Sequence, residues 1–312
     1  MRNRHWRVAR PPSSSEARGD NLADYPLLVF AISLLALWLS ARGGAAVARR
    51  WQTLGEEARA DFGVILGATL TLLALIIGFS FSMAINRYDQ RKNYEEAEAN
   101  AIGTEYLRAD LLPAADAAKV RTLLKSYLDQ RVLFYTTRNA HQLRQIHADT
   151  AKLQADLWSA VQASAAERPA PLVMLAVAGM NDVLNAQGYT QAAWWNRIPI
   201  AAWCFMAAIA IGCNLMVGYG THKVKAEFTL LLVLPLLVSV SFFLIADIDS
   251  PRGGAIHVNP QNLVSLAQSL DKCRQGQVAA QVSLSSTPQC GAGGGGAAGN
   301  QTHCQGCVRP SP

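Results

Sequence analysis

The sequence predicts an all-α membrane protein with four transmembrane helices and a helical extension outside the bilayer. Charged residues make up only 16% of the 312 residues, against about 25% in soluble proteins. Four apolar runs of the sequence carry no charged residue. Each run is close in length to the roughly 20 residues that a helix needs to cross a bilayer. These runs are Tyr25–Ala41, Phe62–Asn86, Ile198–His222 and Phe228–Ala246. Residues 87–197, between the second and third runs, show helical periods and no alternating strand pattern.

The first run follows a polar tail, residues 1–23. This tail is rich in Pro, Ser and Arg and is predicted to be disordered. A signal peptide is the alternative interpretation of this run, because Arg2, Arg4, Arg7 and Arg10 precede it and small residues follow it. The long polar lead and the absence of a clear cleavage site favour a membrane span. A partly helical connector, Arg42–Arg59, follows it.

The second run is the centre of the predicted architecture. It passes without a Gly-Pro break into a segment rich in Ala, Glu, Lys and Arg, which are good helix formers, and Pro113 ends it. We therefore expect one helix over Phe62–Leu112, roughly 75 Å long at about 1.5 Å per residue. Asp61 is its predicted N-cap.

Small residues recur along one face of the apolar half of this helix, at steps of three or four. They are Gly63, Gly67, Thr71, Ala74, Gly78 and Ser82. Such a face lets helix backbones approach closely in lipid, and it is also suited to line a narrow pore. In a symmetric oligomer both interpretations hold together.

The segment after Pro113 predicts three further helices. The first covers Ala114–Thr137, and the second carries a seam of apolar and small residues from Leu143 to Ala160. The third covers Leu172–Leu184, with Gly188 as its expected break. We expect a membrane domain over residues 24–270, closed by a short helix from Pro260, and a disordered Gly- and Cys-containing tail over 271–312.

Lys and Arg next to the spans predict the orientation. With four spans, both termini and residues 87–197 share the side that holds more of these cations, which favours the cytosol. The net charge of +6 needs no nucleic acid as a partner, because anionic lipid attracts cations at span ends. The six cysteines form no disulfide framework in that reducing compartment.

Charged residues at the ends of the second and fourth spans are the candidates for a functional mouth. Asp247 and Asp249 are expected to cap backbone groups or to pair with Arg87 or Arg91. A calcium site is the alternative for the two acids, but no third acidic ligand lies close in sequence. A zinc site from His303, Cys304, Cys307 and Cys290 has weak spacing, so no metal and no cofactor is predicted. No catalytic motif is present, which argues against an enzyme.

Two segments resemble signatures of the bacterial bestrophin-like family of uncharacterised membrane proteins. The first is Arg87–Arg91 with Glu96–Arg108, and the second is Asp247–Pro260, in which Ser250 and Arg252 depart from the usual form. The resemblance implies a bestrophin-like fold. The family is distantly similar to bestrophin anion channels, pentamers whose second span lines the pore and continues outside the bilayer. The chain lacks their tryptophan pair, so anion selectivity does not follow.

The leading functional hypothesis is an ion channel formed by a homo-oligomer. The resemblance suggests that the oligomer is a pentamer. Its expected partners are the lipid bilayer and small ions. Candidate pore residues are Thr71, Ala74, Ile77, Gly78, Phe81 and Ser82, and candidate mouth residues are Arg87, Tyr88, Asp89, Arg91, Asp247 and Asp249. The alternative is a non-conducting scaffold or sensor, whose Leu143–Ala160 seam binds a protein partner.

Overall fold

The computed structural model describes residues 25–50, 56–220 and 228–272, and all regular secondary structure in these ranges is helical. The predicted tail over residues 1–23 lies outside the described residues, and so does the tail predicted over 271–312 apart from residues 271 and 272, which belong to α8. The four cysteines from Cys273 onward are therefore not described. The helices are α1 (Pro26–Arg50), α2 (Glu56–Arg108), α3 (Ala114–Thr136), α4 (Ala140–Glu167), α5 (Pro171–Trp195), α6 (Ile200–Gly220), α7 (Phe228–Asp249) and α8 (residues 261–272). Among the described residues, four helical segments are long and apolar enough to cross a membrane. They include α1, most of α2, α6 and most of α7.

The long helix α2 confirms the predicted rod. It continues unbroken past Asn86 to Arg108, and a 3-10 turn over Ala109–Leu111 follows before Pro113. Its start was predicted wrongly: α2 begins at Glu56, so Asp61 lies inside the helix and cannot be its N-cap. The residues before Asp61 include Glu and Ala, which favour helix and extend it beyond the apolar run.

The chain forms two compact units, and the first boundary between them falls within α2. The first contains the described residues up to Gln90 together with Trp194–Val258, and hence α1, the first part of α2, α6 and α7. Its core is an apolar cluster in which Leu73 of α2 meets residues of the other three helices, among them Leu37, Met206 and Phe242. Cys213 is buried in this cluster, whereas Cys204 is exposed.

A glycine seam brings α1 and α6 together in this unit. A Cβ on Gly44 would overlap the carbonyl of Leu215, and a Cβ on Gly218 would overlap the carbonyl of Ala41. Ser40 Oγ also donates to the carbonyl of Ile211 at 2.7 Å. Small residues allow this backbone approach, and the sequence analysis did not anticipate it here. The α1 helix, which extends to Arg50 through much of the predicted connector, supplies one half of the seam.

The second unit contains Arg91–Ala193 and the described residues after Val258. In it α4 packs on α3, and the predicted seam of α4 is largely buried through Ile146, Thr150, Leu157 and Ala160. Asn139 caps α4, accepting from the backbone N–H groups of His141 and Gln142. The break predicted at Gly188 is wrong: α5 continues to Trp195. A single glycine costs a helix only about 1 kcal/mol, which flanking helical turns offset.

Candidate functional site

The small-residue face of α2 is open to its surroundings in the protomer. All six members of the face, Gly63, Gly67, Thr71, Ala74, Gly78 and Ser82, are exposed. A Cβ built on any of its three glycines meets no atom within 4 Å. The opposite side of α2 holds Leu73 and Ala84, which are 2% and 0% exposed and belong to the core of the first unit. The protomer thus uses the bulky side of α2 and leaves its small side unoccupied.

Not all of the predicted pore residues share this face. Thr71, Ala74, Gly78 and Ser82 lie on it, whereas Ile77 and Phe81 are partly buried against the cluster of Ala84, Ile198, Ile245 and Ile248. Their position follows from the helical period, because residues 77 and 81 precede 78 and 82 by about 100° each. Phe79, in contrast, has an exposed side chain, with 65% of its surface accessible.

At the polar end of the same unit, Arg87 is held by Asp249. The Arg87 Nη1 atom lies 3.4 Å from Asp249 Oδ1, and the two side chains are 13% and 2% exposed. Both carboxylate oxygens of Asp249 also accept from the backbone N–H of Ile198, at 3.3 and 3.1 Å. The predicted pairing of Asp249 with Arg87 is confirmed. It fixes the end of α7 to α2 and to the segment that precedes α6.

Asp89 has the opposite environment. Its side chain is exposed, at a helical position about 20° from Gly78 and therefore on the small-residue face. Tyr88 packs on the cluster of Ala84 and Ile198 instead. Among the charged mouth candidates of α2, which are Arg87, Asp89 and Arg91, Asp89 is the one whose side chain lies on the open face.

Asp247 organises the turn after α7. Its Oδ1 accepts from the N–H of Ala255 at 2.7 Å and its Oδ2 from the N–H of Ile256 at 2.9 Å, which confirms the predicted capping role. Gly254 is required there, since a Cβ would overlap the carbonyl of Asp247. The Arg252 guanidinium lies 4.4 Å from the ring centroid of Trp194, a cation–π contact. The second sequence signature is thus a fixed turn.

Arg91, the remaining mouth candidate, belongs to the second unit and is only 1% exposed. Its Nε donates to the carbonyl of Ala193 at 3.4 Å, near the end of α5. Orphan carbonyls at a helix end need such donors. This burial assigns Arg91 a structural role in the protomer.

Sequence reasoning missed three buried acids on the polar half of α2. Glu95, Glu98 and Glu105 are at most 1% exposed, and they share one helix face with Ala99 and Ile102. The signal was available, because steps of three and four that include apolar residues mark a buried face. The surrounding charges instead suggested a solvated helix surface.

The first two acids are well satisfied. Glu95 accepts from the N–H of Leu263 at 3.0 Å and from Asn262 Nδ2 at 2.7 Å, at the start of α8. Burial raises the pKa of Glu95, and these hydrogen bonds partly oppose that effect. Glu98 forms a two-point ion pair with Arg131 of α3 and accepts from Thr190 Oγ1 of α5 at 3.1 Å. Glu98 thereby ties three helices of the second unit together.

Glu105 has no such partners. Both of its carboxyl oxygens are buried without a hydrogen bond in the described part of the chain. Burial raises the pKa of Glu105 to about 8; Arg108 acts against this rise and Asp182 adds to it. The residues that the structure describes contain no group of three His, Cys, Asp or Glu able to hold a metal ion.

A family model described as the Bestrophin-like domain matches residues 27–263. The chain belongs to the bestrophin-like family. Comparison with curated proteins gives no match. Solved structures show the same fold in bacterial bestrophin homologues from Klebsiella pneumoniae. One variant of such a homologue has a TM-score of 0.54 and 13% sequence identity to this chain. The match covers 79% of this chain and 95% of the homologue's chain. A homologue phased with zinc has a TM-score of 0.52 at 12% identity, with coverages of 78% and 98%.

The two sequence signatures coincide with polar contacts inside the two units. This bestrophin-like chain is a multi-pass membrane protein, and its signature residues build contacts within each unit: Arg87 with Asp249, Asp247 with the turn at Ala255, and Glu98 with Arg131. None of these three contacts involves the open face of α2.

Proposed function

We propose that this protein is an ion channel, formed by a homo-oligomer in which α2 lines the pore. The open small-residue face of α2 is the observation that carries this proposal. Only 6% of the most apolar window of α2 is buried in the protomer, against 22% in α1 and 44% in α7. A helix that packs so little on its own chain has most of its surface left for lipid, other copies or a pore.

The composition of that face favours neighbouring copies and a pore over lipid alone. Gly63, Gly67, Ala74 and Gly78 offer little apolar area to lipid, and Thr71 and Ser82 carry hydroxyl groups. The Thr71 hydroxyl donates to the carbonyl of Gly67 at 2.9 Å and so is satisfied within the helix. Symmetric packing of several α2 helices then leaves a narrow axial path, and similarity to the bestrophin fold supports this arrangement.

We further propose that both termini and residues 87–197 lie in the cytosol, with the chain in the bacterial inner membrane. The excess of Lys and Arg on that side supports this orientation. Subunit number is taken from the bestrophin channels that the sequence resembles, which are pentamers.

The alternative function, a scaffold that binds a protein partner through the α4 seam, loses its main support. The seam residues Ile146, Leu157 and Ala160 are buried in the protomer, where α4 packs on α3. A partner helix would have to displace α3 to reach them.

A conductance measurement tests the proposal. The purified protein in planar bilayers should carry current, and Gly78→Val should abolish most of it, because the valine would fill a narrow axial path or separate the packed helices. Gly212→Val is the matched control: a Cβ there also meets no atom within 4 Å, but Gly212 belongs to α6. An intact oligomer without current, or equal loss in both variants, contradicts the proposal.

A further inference from the structure

A buried carboxyl group lies between α2 and α5 in the second unit. Glu105 is 0% exposed, well beyond the charge-free run that ends at Asn86, and neither of its oxygens has a hydrogen-bond partner among the described residues. A buried polar group without a partner destabilises the fold, and more so when it is charged. The neutral carboxylic acid is therefore the form that this environment favours.

Gly179 of α5 creates the space that Glu105 occupies. A Cβ on Gly179 would overlap both the Glu105 carboxyl group and the Arg108 guanidinium. The acid and the guanidinium thus both touch the same point on α5. A cation lies beside the buried acid without forming an ion pair with it.

Arg108 has a second acidic neighbour on the protein surface. Its Nη1 lies 3.9 Å from Asp182 Oδ2, and the two side chains are 34% and 66% exposed. An exposed pair of this kind contributes little to stability, because solvent screens it. Arg108 can therefore leave Asp182 at small cost when a stronger acceptor becomes available.

We propose that Glu105, Arg108 and Asp182 form a proton-operated switch between α2 and α5. While the Glu105 carboxyl group keeps its proton, Arg108 stays with Asp182. When the Glu105 O–H bond breaks and the proton passes to solvent, the bare carboxylate draws the Arg108 guanidinium away from Asp182. The contact of α2 with α5 changes accordingly, whether or not the protein conducts ions.

The electrostatics of the site agree with this geometry. Two charged groups act on Glu105: Arg108 on its own helix and Asp182 on α5. Their effects on the pKa of Glu105 have opposite signs, and burial outweighs both. Removal of either neighbour should therefore move the titration of Glu105 in a known direction.

Infrared absorption of the full-length protein in lipid vesicles tests the first step. The band of a protonated carboxyl group should disappear with a midpoint at about pH 8, and Glu105→Gln should remove that titration. Arg108→Gln should raise the midpoint by about one unit, because a favourable cation is lost. Asp182→Asn should lower it. Persistence of the titrating band in Glu105→Gln, or shifts of equal sign in the other two variants, overturns the proposal.

Nitrogen-15 NMR of the arginine guanidinium groups tests the second step. The Arg108 signal, assigned by its absence in Arg108→Gln, should shift over the same pH range in the native protein and stay constant in Glu105→Gln. A carboxyl group that titrates while the Arg108 signal stays constant also overturns the switch. Arg108 and Asp182 are partly exposed, so their variants retain a readout even if Glu105→Gln fails to fold.

Discussion

The Nη1 atom of Arg87 lies 3.4 Å from Oδ1 of Asp249, and this contact joins α2, just beyond its apolar run, to the end of α7. The pair removes Arg87 from the exposed face of α2 and leaves Asp89 there. Asp89 is therefore the predicted mouth residue of α2 whose side chain lies on the open face.

Loss of the Asp249 carboxylate should destabilise the protein. Asp249→Ala leaves the Arg87 guanidinium and the Ile198 N–H without this acceptor, which costs about 3 kcal/mol in a mostly buried site. The thermal unfolding midpoint of the purified protein measures the loss. In a double-mutant cycle, Arg87→Met should cost much less in the Asp249→Ala background than in the native protein. Additive losses would show that the two side chains do not interact.

Charge reversal at Asp89 should change ion preference if α2 lines a pore. Asp89→Lys replaces an acid with a cation on the open face and should move the reversal potential under a salt gradient towards anions. Arg87→Glu serves as the comparison, and it should change the reversal potential less because residue 87 is directed towards Asp249. An unchanged reversal potential in Asp89→Lys would remove this residue from the ion path.

The buried Glu105 should make stability depend on pH. Its pKa is raised in the folded state to about 8, whereas the unfolded value is about 4.3. Its contribution is therefore fully present below pH 4.3 and is lost as the pH rises to about 8, at up to about 1.4 kcal/mol per pH unit. Glu105→Gln should flatten the decline of unfolding free energy between these limits. The same slope in both proteins would show that Glu105 titrates normally.

Glu95 should hold the start of α8. Glu95→Ala removes the acceptor for the Leu263 N–H and for Asn262 Nδ2, which costs about 1–3 kcal/mol for buried groups left unpaired. Amide hydrogen exchange over residues 261–272 should then accelerate. Asn262→Ala, which removes only one of the two contacts, should have the smaller effect; equal exchange in all three proteins contradicts this role.

Substitution in the α1–α6 seam should depend strongly on position. Gly44→Val places side-chain atoms against the backbone of Leu215 and Tyr219 and should cost about 1–3 kcal/mol or more. Gly43→Val is the matched control, because a Cβ on Gly43 meets no atom within 4 Å. Thermal unfolding midpoints in detergent give the comparison. Similar losses in the two variants would mean that helix propensity, and not packing, determines the effect.

The sequence by itself determined the elements that local physics controls. Charge-free length predicted the four apolar helices, and the absence of a Gly-Pro break after Asn86 predicted that α2 continues beyond the span. The position of Asp249 at a span end predicted that it would cap backbone groups or pair with Arg87 or Arg91. Each of these features depends on spacing along the chain, which the printed sequence contains.

Only the tertiary structure decided which faces pack on which. Small residues on α1, α2 and α6 look alike in the sequence, yet Gly44 of α1 and Gly218 of α6 form a tight seam, whereas Gly63, Gly67 and Gly78 of α2 stay open. Similarly, Glu95, Glu98 and Glu105 resemble surface charges until their neighbours are known. The physical reason is that close packing and burial depend on atoms from distant segments, and the helical period alone does not specify which segment will be the neighbour.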